Sequence, residues 1–140
     1  MTGASANAKA TGVVTSDPSA WDAAVLANGG HLLQSWSWGA FKSRFGWQVA
    51  RFAAEGEGGT ALAQVLFRGK AGVTMGYLPR GPVLPRHDAD AFVNLLGVID
   101  GWARRQRMLA IIVEPDSELP ELPGRGVVLV PGPEPIQPSP

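Results

Sequence analysis

Five side chains pair a polar or charged end with a locally constrained setting. Lys42 stands four residues after Trp38, so in a helix its stem can run along the indole while the ammonium reaches water. Trp38, Phe41 and Phe45 fall at i, i+3 and i+7, an apolar helical stripe that Gly46 is placed to end. The result is a short helix offering one cation at the rim of an aromatic platform. Downstream, Tyr77 runs into Pro79-Arg80-Gly81-Pro82, where prolines bracket the arginine and restrict the backbone. Glu114 closes a short apolar run and precedes Pro115.

Each residue carries two readings. Lys42 is either a snorkelling surface lysine or a point-charge contact to a phosphate. Arg80 either braces its own loop through carbonyl hydrogen bonds or meets a ligand. The Tyr77 hydroxyl either donates to a substrate or sits at a sheet edge. Glu114 either points into a cleft from a strand end or is a solvated turn residue. His87, just ahead of a long helical pattern, is more readily a surface or capping residue than a catalytic one. It is also far in sequence from His31, and a metal site is not expected. No residue stands out as a catalytic base.

Composition narrows the function classes. The chain has 140 residues, 45% hydrophobic and 17% charged, about one domain with enough apolar content for a core. Its 12 basic and 12 acidic side chains balance, which argues against a broad surface that tracks nucleic acid phosphates. There is no cysteine, hence no disulfide framework or thiolate site. No apolar run approaches the ~18 residues of a membrane span, and residues 1–12 lack the apolar centre of a secretory signal. These features place the protein in the cytoplasm behind a disordered leader.

The elements that must position the five follow from local pattern. Asp17-Pro18 opens a capped short helix through Trp21 and Val25 that Asn28-Gly29-Gly30 stops. Trp47 to Ala54 alternates as a strand, with Gln48, Ala50 and Phe52 on one side and Trp47, Val49 and Arg51 on the other. Residues 55–59 form a loop, Thr60 to Phe67 an interior strand, residues 69–72 a turn, and Val73 to Tyr77 a third strand. From Asp88 to about Arg107, Phe92, Leu95, Leu96, Ile99, Trp102 and Ala103 recur at helical spacing. Asp88 and Asp90 complement its dipole at one end, and Arg104, Arg105 and Arg107 at the other. Leu109 to Val113 returns as a strand, implying a crossover into the sheet. The apolar run Val127 to Val130 is followed by a proline-rich connector, Pro131 to Pro140. The fold class is α/β, a mixed sheet flanked by helices and half of a larger unit.

Taken in order, Leu33-Gln34-Ser35-x-x-Trp38-Gly39-x-x-Lys42, Gly46-Trp47, Ala63-Gln64-Val65, Tyr77-x-Pro79-Arg80-Gly81-Pro82, Glu114-Pro115 and Ile136-Gln137-Pro138 resemble the Fem family of peptidoglycan bridge-forming aminoacyltransferases. The resemblance covers Trp21 to Pro138. It implies an acetyltransferase-like (GNAT-type) mixed sheet, the first of two such domains and incomplete. Residues 1–15 would be the leader, 16–130 that first domain and 131–140 the connector or a truncated end. The implied reaction moves an amino acid from aminoacyl-tRNA to the stem-peptide amine of a cell-wall precursor, nucleotide- or lipid-linked, at the inner face of the membrane in the latter case.

Within the resemblance, Lys42 contacts the precursor's diphosphate, and Trp38, Tyr77, Arg80 and Glu114 line the same substrate site. Aminoacyl-tRNA would be met largely by a second domain. Two positions depart from the family's pattern. Glu114 stands where aspartate is usual, and Pro85 where an acid usually follows Pro-Arg-Gly-Pro. No cofactor is implied, and no glycine-rich pyrophosphate loop precedes the long helix, which disfavours coenzyme A. Two other readings stay open: a non-catalytic precursor-binding module needing a partner chain, and an N-acyltransferase acting on another amine.

Overall fold

A computed structural model describes residues 17–85 and 89–116. The leader, His87, Asp88, the Val127–Val130 run and the connector lie outside the described residues. Helix α1, Pro18–Ala27, starts where the Asp17 carboxylate accepts from the Ala20 N–H at 3.2 Å and proline occupies the first turn. The Asn28 side chain closes it by donating to the Ala24 carbonyl. A 3₁₀ turn, Leu32–Gln34, leads into α2, Trp36–Ser43, whose N-cap Ser35 accepts from the Trp38 N–H.

Three antiparallel strands follow, β1 (Gln48–Gly56), β2 (Gly59–Lys70) and β3 (Val73–Pro79). All three run past the ends that their alternation suggests, β3 by two residues to Pro79. β1 runs on to Gly56, which pairs with Gly59, so the loop shrinks to Glu57-Gly58. Likewise β2 runs on to Lys70, because Ala71 and Gly72 (φ 54° and 79°) supply the two positive φ angles of a type I′ hairpin by themselves. Helix α3, Ala89–Arg105, then carries the chain across to β4, Met108–Glu114, which lies parallel to β3. The sheet order is β1-β2-β3-β4, a mixed sheet with the expected crossover.

Side-chain alternation divides the core between the two faces. On one face Ala50, Phe52, Ala61, Ala63, Val65 and Leu78 meet Ala91, Leu95, Ile99 and Trp102 of α3. Trp102 sets its edge against Phe52 and Phe67, each with ring centroids 5.0 Å apart. On the other face Leu62 and Val83 close over Trp21 and Val25 of α1. β2 is buried from Ala61 to Leu66 because strands flank it and helices cover both its faces. The basic end of α3 is exposed, and Arg104 pairs with Asp100 one turn back at 3.0 Å.

Candidate functional site

The frame of the site is a buried polar network that joins the start of α2 to the middle of the sheet. Gln34 and Gln64 are both fully buried. Gln34 pairs its side-chain amide with the Gln64 backbone, accepting from the N–H at 2.7 Å and donating to the carbonyl at 3.2 Å. The same Nε2 donates to the Pro79 carbonyl at 2.6 Å, next to Arg80. Gln64 in turn donates to the Ser35 carbonyl at 2.7 Å and accepts from Arg51 Nε at 2.8 Å. Arg51 also stacks on Trp36, 3.4 Å from the ring centroid. Burial lowers the Arg51 guanidinium to about 10, with nearby Asp22 pulling the other way. Gly39 is required where α2 crosses this network, because a Cβ there would come within 2.5 Å of Gln64 Oε1.

All five candidate residues lie on the sheet face that carries α1 and α2. Paired positions on neighbouring strands share a face, and Leu66, Tyr77 and Ile112 form one such row. The five do not meet at a point; they form two clusters. At the β1 end, Lys42 Nζ lies 5.5 Å from the Trp38 ring centroid and 5.8 Å from that of Trp47. Arg68 stacks on the same Trp47 at 4.1 Å. Neither Lys42 nor Arg68 pairs with a carboxylate among the described residues. The Trp38 indole N–H is buried and has no hydrogen-bond partner among them. At the β4 end, Tyr77 Oη donates to Glu114 Oε2 at 3.1 Å. Arg80 Nε lies 3.5 Å from Glu114 Oε1, and its other branch 3.9 Å from Asp116.

A groove of about 430 Å³ lies between the clusters, with Val73, Met75 and Ile112 flanked by Trp47, Arg68, Lys70 and Tyr77. Of the five candidates only Tyr77 lines it, and Lys42 and Glu114 adjoin it through Trp47 and Tyr77. Three local readings need correcting or completing. Tyr77 is not at a sheet edge, since β3 lies between β2 and β4. Its phenol is pushed up by burial, then by the hydrogen bond to Glu114 and that carboxylate's charge, while Arg80 opposes. Glu114 is a half-buried acceptor shared by Tyr77 and Arg80, not a free turn residue. Pro85 is buried and packs near Gly59 at the β1–β2 hairpin, so no acid from that position reaches the groove.

Residue-level reasoning did not single out Gln64, Arg51 or Arg68. The available signal was one glutamine inside the apolar run Ala61 to Phe67. His31 caps the 3₁₀ turn through Nδ1, which accepts from the Leu33 N–H. No group of three metal-ligating side chains occurs among the described residues.

The model of the FemAB family matches residues 23–129, most of the chain. The chain belongs to the FemAB family. A similar solved structure is the crystal structure of FemX, with a TM-score of 0.66 and 28% sequence identity. The match covers 75% of this chain and 27% of FemX, so this FemAB chain spans about a quarter of that relative. No curated protein matches the sequence. The FemAB match takes in the Trp38–Lys42 helix, the Pro79–Pro82 corner and Glu114, and with them every residue that lines the groove.

Proposed function

We propose that this chain is the precursor-binding portion of a Fem-type aminoacyltransferase of peptidoglycan bridge synthesis. In this reading it is an acetyltransferase-like (GNAT-type) first domain over residues 16–130, working with a second domain that meets aminoacyl-tRNA. The single observation that carries it is one groove running from Trp47, which Lys42 adjoins, to Tyr77, which Glu114 and through it Arg80 hold. Family membership and the likeness to FemX support the reaction class.

The chemistry assigns different work to the two ends. Lys42, an uncompensated cation beside two indoles, meets the diphosphate of a nucleotide- or lipid-linked muramyl pentapeptide. Trp38 supplies the platform for its stem. Tyr77 and Arg80 orient the rest of the precursor through a phenol that stays protonated at neutral pH and a cation that Glu114 already holds in place. In the transfer step the neutral stem-peptide amine attacks the ester carbonyl carbon of aminoacyl-tRNA. The tetrahedral intermediate collapses with cleavage of the ester C–O bond, and the amine proton leaves with the ribose oxygen. This chain's share is binding and orientation of the acceptor. The setting is cytoplasmic, and no described helix is long and apolar enough to cross a membrane.

A nucleotide-linked muramyl pentapeptide is expected to raise the melting temperature of the chain, and Lys42→Ala to remove that shift. Absence of any shift at millimolar precursor would sink the reading. A second reading, a binding module that needs a partner chain, draws on the exposed Leu109 and Ile112 of the edge strand β4. Concentration-dependent light scattering that a β4 substitution abolishes would favour it.

A further inference from the structure

We propose that the outward side of α2 is a docking surface for an anionic lipid bilayer. A helix advances about 100° per residue, which puts Trp36, Gly39 and Ser43 on one side of α2 and Phe41 and Phe45 on the opposite one. Gly39 presses onto Gln64 and Arg51, so the sheet takes the first side. The aromatic stripe therefore points away from the protein, with Phe41 49% and Phe45 63% exposed. Its rings form a ladder, Trp38 to Phe41 at 5.6 Å and Phe41 to Phe45 at 5.0 Å. Phe41 and Phe45 join neither core cluster of the described chain, and exposed apolar patches mark interaction surfaces.

Charge selects the occupant. On the same helical projection Lys42 flanks the stripe on one side and Arg44 on the other. Arg44 is exposed and pairs with no carboxylate among the described residues. Residues 23–54 contain no aspartate or glutamate. The carboxylate that does reach α2, Asp22, accepts from the Trp36 N–H at 2.7 Å, at the end of the helix away from Lys42 and Arg44. Exposed Leu32, on the turn entering α2, belongs to the same acid-free stretch. Aromatic rings that enter the acyl boundary, with basic stems that reach headgroup phosphates, are the chemistry of interfacial binding. The surface shares Trp38 and Lys42 with the candidate site, whereas Phe41, Arg44 and Phe45 belong to it alone, and its argument does not depend on the precursor reading.

The full chain is tested by sedimentation with phosphatidylcholine vesicles, with and without phosphatidylglycerol. Binding is expected only with the anionic vesicles and is expected to weaken as salt rises. The double variant F41Q/F45Q is expected to bind at least about tenfold more weakly, and Arg44→Gln about fivefold. All three positions are exposed, and an unchanged urea midpoint shows that each variant is folded. Failure to bind anionic vesicles, or undiminished binding by folded F41Q/F45Q, overturns the proposal. Lipid-free self-association that the double variant abolishes also overturns it, since a second copy would then own the face. A precursor-induced thermal shift in F41Q/F45Q separates loss of this surface from loss of the groove.

Discussion

The two ends of the groove hold their charges in opposite ways. At the β4 end Arg80 is already matched by Glu114 and Asp116, and Glu114 also accepts from Tyr77. At the β1 end Lys42 and Arg68 lean on indole faces and have no carboxylate among the described residues. A matched cluster is set before any ligand arrives, so it can orient without reorganising. An unmatched cation beside aromatic rings keeps its charge available for an incoming anion. One end is built to hold a shape and the other to capture charge.

The sharpest way to break this contrast is to remove what ties the ends together. Gln64→Leu strands the Arg51 guanidinium and the Ser35 carbonyl, and is expected to cost about 3 kcal/mol in urea unfolding. A loss below about 1 kcal/mol would mean that the network is not what sets the start of α2. Next in size, Lys42→Ala should weaken precursor binding about tenfold while stability moves by less than about 0.5 kcal/mol. Calorimetric titration and urea unfolding of the same sample separate those two effects. Glu114→Gln should do the reverse in kind, costing about 1 kcal/mol of stability as Arg80 loses a half-exposed partner. An equal stability loss in both variants would erase the distinction between the ends.

The smallest effect tests the Tyr77 phenol by pH. Its folded pKa is raised above the ordinary 10, so the folded state holds that proton more tightly than the unfolded chain. The associated stability is present in full below pH 10 and is lost as pH rises through the raised folded value. The stability difference between the native chain and Tyr77→Phe should therefore shrink above pH 10. Arg51, lowered to about 10, titrates in both proteins and cancels in that difference. A difference that stays constant with pH would show that neither burial nor Glu114 holds the proton on Tyr77.

Much of the architecture was legible because it rests on short-range rules. Asp17-Pro18, the paired hairpin glycines and the stripe of Phe92, Leu95, Ile99 and Trp102 each act within a turn or two of chain. Strand ends were misjudged at Gly56 and Lys70, where cross-strand pairing continues past the end of the apolar pattern. The stripe Trp38–Phe41–Phe45 was legible as a helical face, but its direction was not. Gly39 and Trp36, not the phenylalanines, lie against Arg51 and Gln64. Hydrophobic periodicity ranks faces by apolar content, and here close backbone approach outranked it.

The amino-acid sequence by itself determined the α/β class, the crossover, the aromatic–lysine helix, the proline-bracketed arginine and, through the order of its motifs, the family. Only the tertiary structure decided that the Lys42 and Glu114 clusters flank one groove, that Glu114 serves Tyr77 and Arg80 together, and that Gln34 and Gln64 join the halves. The reason is physical: a helix or hairpin depends on residues a few positions apart. Contacts such as Gln34 to Pro79 or Tyr77 to Glu114 exist only after β3 has paired with both β2 and β4.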